Sequence, residues 1–246
     1  MRKTLYFIMA VAAAAGVLAG CGKEPLPDSG GNGSGTGEPD TDNPAVEEPV
    51  YSIGDWYEKG FLKGVVFNVD ETGEHGYIMA TDEIVTVWSY VNENVMYGMP
   101  APNGDYNCAL IREMDNWNDN YPGFAWADSK NVLGLNNWYV PSSQEMALIY
   151  AAFKGHVPDG AEDENAIVSS RAEGSSGMTE EECMAWFNSC LTSHGGVPLD
   201  DVLYWTSGEL GPQIAYAFDM ATGTNTLEQE KIYKTKEYPF RAISRF

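Results

Sequence analysis

The chain has 246 residues, with 36 acidic against 14 basic side chains and a formal net charge of −22 at pH 7. So acidic a chain repels nucleic acid and anionic lipid headgroups, which argues against polyanion binding as a function class. Four cysteines in a chain of this length do not make a disulfide scaffold, and the length suffices to bury a conventional core.

Arg2 and Lys3 precede an apolar run from Leu5 to Leu18, which ends in the small-residue junction Leu18-Ala19-Gly20-Cys21. That order predicts a cleaved secretion signal over residues 1–20. A membrane-spanning anchor needs about 20 apolar residues, more than this run offers. The junction resembles the lipobox of bacterial lipoproteins. The resemblance implies that Cys21 becomes the first mature residue and carries acyl chains, so that its membrane partner is reached through lipid. Cleavage would remove two of the 14 basic residues and none of the 36 acidic ones, giving a mature charge of −24. The expected location is the cell envelope, on the outer membrane and facing the surface.

Residues 21–50 contain no aromatic side chain and are rich in glycine, proline, serine and acids, as in Gly30-Gly31-Asn32-Gly33-Ser34-Gly35-Thr36-Gly37. Such a composition cannot bury enough apolar surface to offset chain entropy, so a flexible acidic tether is expected. Aromatics begin at Tyr51, and residues 51–246 read as one domain without a repeat at a fixed period.

Within that domain, Gly64–Val69 and Gly76–Ala80 are apolar runs around the polar turn Asp70-Glu71-Thr72-Gly73-Glu74, the pattern of a β-hairpin. A less regular segment from Asp105 to Met114 is expected to be helical. Ser142 followed by Glu145 is a capping box, and Met146, Ile149, Tyr150 and Phe153 then recur at helical spacing. A second capping box, Thr179 with Glu182, opens a helix with Cys183, Trp186, Phe187, Cys190 and Leu191 on one face, stopped at Gly195-Gly196. Strands are expected again at Leu203–Thr206, Ile214–Phe218 and Pro239–Ile243.

With Cys21 assigned to lipid, Cys108, Cys183 and Cys190 remain. Seven residues along a helix separate the last two by about 10.5 Å. A disulfide needs α-carbons within about 7 Å, so the two are expected to pack as free thiols.

Four stretches taken together resemble a known family: Gly64-Val65-Val66-Phe67-Asn68-Val69-Asp70-Glu71-Thr72-Gly73-Glu74-His75-Gly76, Trp138-Tyr139-Val140-Pro141-Ser142-Ser143-Gln144-Glu145-Met146, Tyr204-Trp205-Thr206-Ser207-Gly208-Glu209 and Arg241-Ala242-Ile243-Ser244-Arg245-Phe246. They resemble the C-type-lectin-like domain at the C-terminus of collagen-like bacterial adhesins, which is related in fold to formylglycine-generating enzymes. The resemblance covers Tyr51 to Phe246. It implies an α+β domain in which early and final strands pair, two or three helices flank antiparallel strands, and loops between later strands form a binding face. The family pattern has a tryptophan-aromatic-leucine-proline strand and a tryptophan-serine-serine-threonine-glutamate strand; Val140, Thr206 and Gly208 depart from it.

Chemical signatures are sparse. Asn116-Trp117-Asn118-Asp119 contains the Trp-Asn-Asp triplet of calcium-dependent lectins, but it precedes the Trp138 strand, and Glu-Pro-Asn is absent from the chain. No metal or other cofactor is expected. His75, His156 and His194 are isolated and suit loop or cap positions. No Gly-x-Ser-x-Gly or Ser-x-x-Lys stretch points to a nucleophile, and no cysteine follows Cys190 to supply a formylglycine-type pair. Trp138 and Trp205 are expected in the core. The polar stretch Asp115 to Tyr121 offers Trp117, Asp119 and Tyr121 as candidate ligand residues, since rings among amides and acids suit stacking on a sugar. The leading expectation is a surface-displayed binding module for a glycan or protein partner. An envelope hydrolase with a spatially assembled site and a structural subunit of a surface fibre are the alternatives.

Overall fold

The hairpin foreseen around Asp70 forms the centre of the first sheet. Residues 50–156, 177–226 and 231–246 are described by this computed structural model. Strand β2 (Leu62–Val69) pairs antiparallel with β3 (Gly76–Met79) through a bulge between Val66 and Asn68. Asp70 Oδ1 closes the turn by accepting from the amides of Thr72 (3.0 Å) and Gly73 (2.9 Å), and Gly73 takes a positive φ of 73° that favours glycine. Strand β1 (Trp56–Lys59) lies on the other side of β2, and β9 (Ile243–Arg245) pairs antiparallel with β3. Early and final strands therefore meet, in the order β1-β2-β3-β9. The signal, Cys21 and all of the tether but Val50 lie outside the described residues.

Two further antiparallel sheets complete the strands. One joins β4 (Ile84–Val87) to β8 (Glu237–Phe240); the other has the order β5 (Leu203–Glu209), β6 (Ala215–Asp219), β7 (Thr224–Asn225). The helices are α1 (Gly104–Arg112), α2 (Trp117–Asn120), α3 (Pro122–Asp128), α4 (Ser143–Lys154) and α5 (Glu180–Ser193). The fold class is α+β.

Both capping boxes form: Ser142 and Glu145 open α4, and Thr179 and Glu182 open α5. The stretch Pro239–Ile243, expected as one strand, divides between β8 and β9. The reason is Arg241, whose buried guanidinium turns inward, donates to Val197 O and Pro198 O at 2.9 Å each, and ion-pairs with Glu83 at 2.8 Å. The chain thus leaves one sheet before Arg241 and enters another after it.

Trp138 and Trp205 are core residues, packed with Phe67, Ile149, Phe187 and Phe240 in a single apolar cluster. Among the described residues, Cys108, Cys183 and Cys190 are not joined in disulfides. Burial pushes the Cys108 thiol up to about 12, although the Val140 carbonyl accepts its weak hydrogen bond. Such a thiol stays protonated and inert. Among the described residues no helix is long and apolar enough to cross a membrane.

Candidate functional site

A groove of about 320 Å³ opens where the start of α4 meets the third sheet. Pro100, Ala101 and Pro102 form one wall; Ser143 and Gln144 of α4, with Tyr216 and Asn225, face it. Gly208 is the floor. A β-carbon there would lie 3.1 Å from Tyr216 Cδ2 and 3.3 Å from Pro100 Cβ, closer than side chains normally pack, so glycine lets these two walls approach each other over the strand.

The motif Tyr204–Glu209 holds these walls residue by residue. Thr206 Oγ1 donates to the Tyr216 carbonyl at 3.0 Å. Ser207 Oγ accepts from Asn107 Nδ2 at 3.0 Å, and the same Asn107 brackets Ala101 by accepting from its amide and donating to its carbonyl. The amide of Ser207 donates to Pro141 O at 2.7 Å, joining β5 to the entry of α4. Glu209 accepts from the amides of Val95 and Met96 and forms a fully buried ion pair with Lys234 at 2.6 Å. That pair fixes the loop that leads into the proline wall.

The helix side is equally constrained. Ser142 Oγ accepts from the Glu145 amide and donates to Pro102 O. Glu145 is buried, and its carboxylate accepts from the amides of Ser142 (2.8 Å) and Gly104 (2.9 Å) and from the Tyr139 hydroxyl (2.9 Å). Burial and then this carboxylate push the Tyr139 phenol well above its ordinary range. These buried charges serve as struts rather than as reactive groups, since each has its hydrogen bonds made inside the protein.

In the loop before the proline wall, Tyr97 adopts a left-handed φ of 53° and is 77% exposed, and Met99 is 81% exposed. A bulky residue in that conformation is strained. Asn94 Oδ1 helps to hold it by accepting from the Tyr97 amide at 2.9 Å.

The sequence-derived site does not assemble as expected. Asp115 to Tyr121 is no open loop, because Asn116 turns the chain with φ 51° and residues 117–120 form the single helical turn α2. Trp117 is half-buried against the core and Asp119 is exposed on α2. Tyr121 is wholly buried, its ring edge-on to Trp88 (5.7 Å) and Phe124 (6.2 Å). Its hydroxyl donates to Glu93 at 3.2 Å, and burial, then Glu93, raise its phenol above the usual range. Tyr121 is therefore a core residue and leaves the ligand set. Cys21 lies outside the described residues.

The groove residues Ser143, Gln144, Gly208, Tyr216 and Asn225 were not singled out as ligand contacts by sequence. Only Gly208 gave a signal, as a glycine inside an otherwise strong strand. A second groove, of about 350 Å³, lies beside Leu62, Leu135 and Asn137 and brings in Asp105 and Arg245.

No protein-family model matches the chain, and no curated protein matches it in sequence. Among solved structures, the chain is similar to a fimbrial protein from Bacteroides ovatus, with a TM-score of 0.45 and 16% identity. The likeness covers 70% of this chain and 36% of that one, so the chain spans about a third of that protein's length.

Proposed function

We propose that the protein is a lipid-anchored envelope binding module whose C-type-lectin-like domain recognises an extracellular glycan in the groove between Pro100–Pro102, α4 and Tyr216. One observation carries this reading. The lining is uncharged and mixes a tyrosine ring with hydroxyl and amide side chains, while the neighbouring charges Glu145, Glu209 and Lys234 are buried and satisfied. Rings with nearby amides fit sugar faces and hydroxyls; convergent titratable groups, which an enzyme site calls for, do not line it. A fibre subunit would suit an apolar open edge, whereas β1, one edge of the first sheet, is four residues long and carries Glu58 and Lys59.

The binding reading is tested with the purified full-length chain on a glycan array and against envelope surface proteins, with Trp117→Ala and Asp119→Ala in parallel. Retention of a glycan by the parent and by both variants is expected. Loss in the α2 variants would move the site to that turn, and retention of a surface protein alone would replace the glycan with a protein partner.

Anchoring has its own test. Replacing Cys21 with Ser removes the thiol that would be acylated, so the chain is expected to pass from the membrane to the soluble fraction on ultracentrifugation. Undiminished membrane retention of Cys21→Ser would show another means of attachment.

A further inference from the structure

We infer that the groove admits an uncharged saccharide without the help of a metal ion, and that Gly208 sets the spacing of its walls, because a side chain there would press Tyr216 and Pro100 out of place. The inference rests on the binding reading above and narrows it to a ligand class.

The charge pattern carries the first part. In a chain of net charge −22, the groove walls from Pro100 to Pro102, at Ser143 and Gln144, and at Tyr216 bear no charged side chain. An anionic sugar, sialylated or sulfated, meets a repulsive field and no lysine or arginine to pair with. A cationic ligand finds no carboxylate in the lining. Calcium needs 6–8 oxygen ligands, normally with carboxylates among them, and these walls offer none. What remains are neutral donors and acceptors. Asn225 adds an amide whose Oδ1 has no hydrogen-bond donor among the described residues. Ser143 and Gln144 sit half-exposed and exposed at the first turn of α4. Hydroxyls both donate and accept, so a neutral sugar matches this set.

The space carries the second part. Tyr216 and Pro100 both come too close to Gly208 for a β-carbon to sit there without displacing them, and neither wall can retreat freely. Tyr216 is held through its carbonyl by Thr206, and the proline wall is bracketed by Asn107. The resembled family has threonine at this place, and already the β-carbon of a threonine would press on both walls and shift them. Tyr97, strained and exposed on the loop gripped by Glu209, stands three residues before the proline wall. An exposed aromatic kept in an unfavourable backbone conformation fits contact with a ligand better than it fits stability.

The test uses the full-length chain on an array pairing neutral oligosaccharides with their sialylated and sulfated counterparts, in excess EDTA. The parent should retain neutral members and none of the anionic ones. Gly208→Thr should weaken that binding roughly tenfold or more. In case Gly208→Thr perturbs β5, the exposed variants Gln144→Ala and Tyr97→Gly are measured alongside. Both should weaken binding, and Tyr97→Gly should melt no lower than the parent because it relieves the left-handed backbone. Preference for anionic glycans, loss of binding in EDTA, or neutral binding indifferent to all three substitutions would overturn the inference. Capture of a protein by the parent, blocked by Gly208→Thr, would overturn the saccharide class and leave the groove as a binding site. Failure to bind any glycan or surface protein would remove both.

Discussion

Lys234→Met should be among the most damaging single substitutions in the domain, costing about 3–5 kcal/mol. Its ammonium is enclosed by Glu209 Oε2 at 2.6 Å, the Glu93 carbonyl at 2.9 Å and the Trp88 ring face at 4.5 Å. Burial holds this ammonium below the usual lysine range, and Glu209 opposes that shift. Removing the cation leaves the Glu209 carboxylate fully enclosed, supported only by the amides of Val95 and Met96. An uncompensated buried charge is worse than no charge. In a domain of this size each kcal/mol moves the melting temperature by about 2–4 °C, so a fall on the order of 10 °C is expected by calorimetry. The double variant Lys234→Met/Glu209→Gln should recover most of the loss, because the glutamine carbonyl can still accept from both amides. A melting temperature unchanged in Lys234→Met would mean that Glu209 is not left as an uncompensated buried charge, and the strut would lose its assigned role.

The parts of this fold that were legible in sequence are those whose determinants are local. Ser142 with Glu145 and Thr179 with Glu182 specify their helix starts within four residues, and Asp70 closes its own turn. The β-rich run from Leu203 likewise needs no distant partner to be recognised. The groove is different in kind. Asn107 meets Ser207 across 100 residues, and the indole of Trp88 donates to Thr206 O across 118. No periodicity records such meetings. Tyr121 shows the same gap from the other side: a tyrosine among asparagines and aspartates looks solvated, yet Trp88 and Phe124 close over it. Arg241 is the mirror case, a charged residue drawn inside because three carbonyls and Glu83 await it there. Gly208 could have been read further, since a glycine within a strand marks a close approach or an opening.

Trp205→Ala should match Lys234→Met in size for a different reason. The indole is fully buried, lies 4.9 Å from the Tyr238 ring at 56°, and donates from Nε1 to Thr86 O at 3.2 Å. Thr86 and Tyr238 are paired residues of β4 and β8, so one side chain fastens the third sheet to the second. Truncating a buried tryptophan to alanine removes its transfer free energy and leaves a cavity, together about 3–5 kcal/mol. The vacated Thr86 carbonyl adds the smaller penalty of an unmet acceptor. Because Thr206, Ser207 and Gly208 follow directly on the strand, the loosened anchor should also weaken the proposed glycan binding, but only in proportion to the lost stability. Thermal melts and binding of Trp205→Ala, set beside Gly208→Thr, separate the two roles. Packing predicts a large fall in melting temperature for Trp205→Ala and a binding loss that is restored on cooling well below its melt. A parent-like melt with binding abolished would instead place Trp205 against the ligand and remove it from the core.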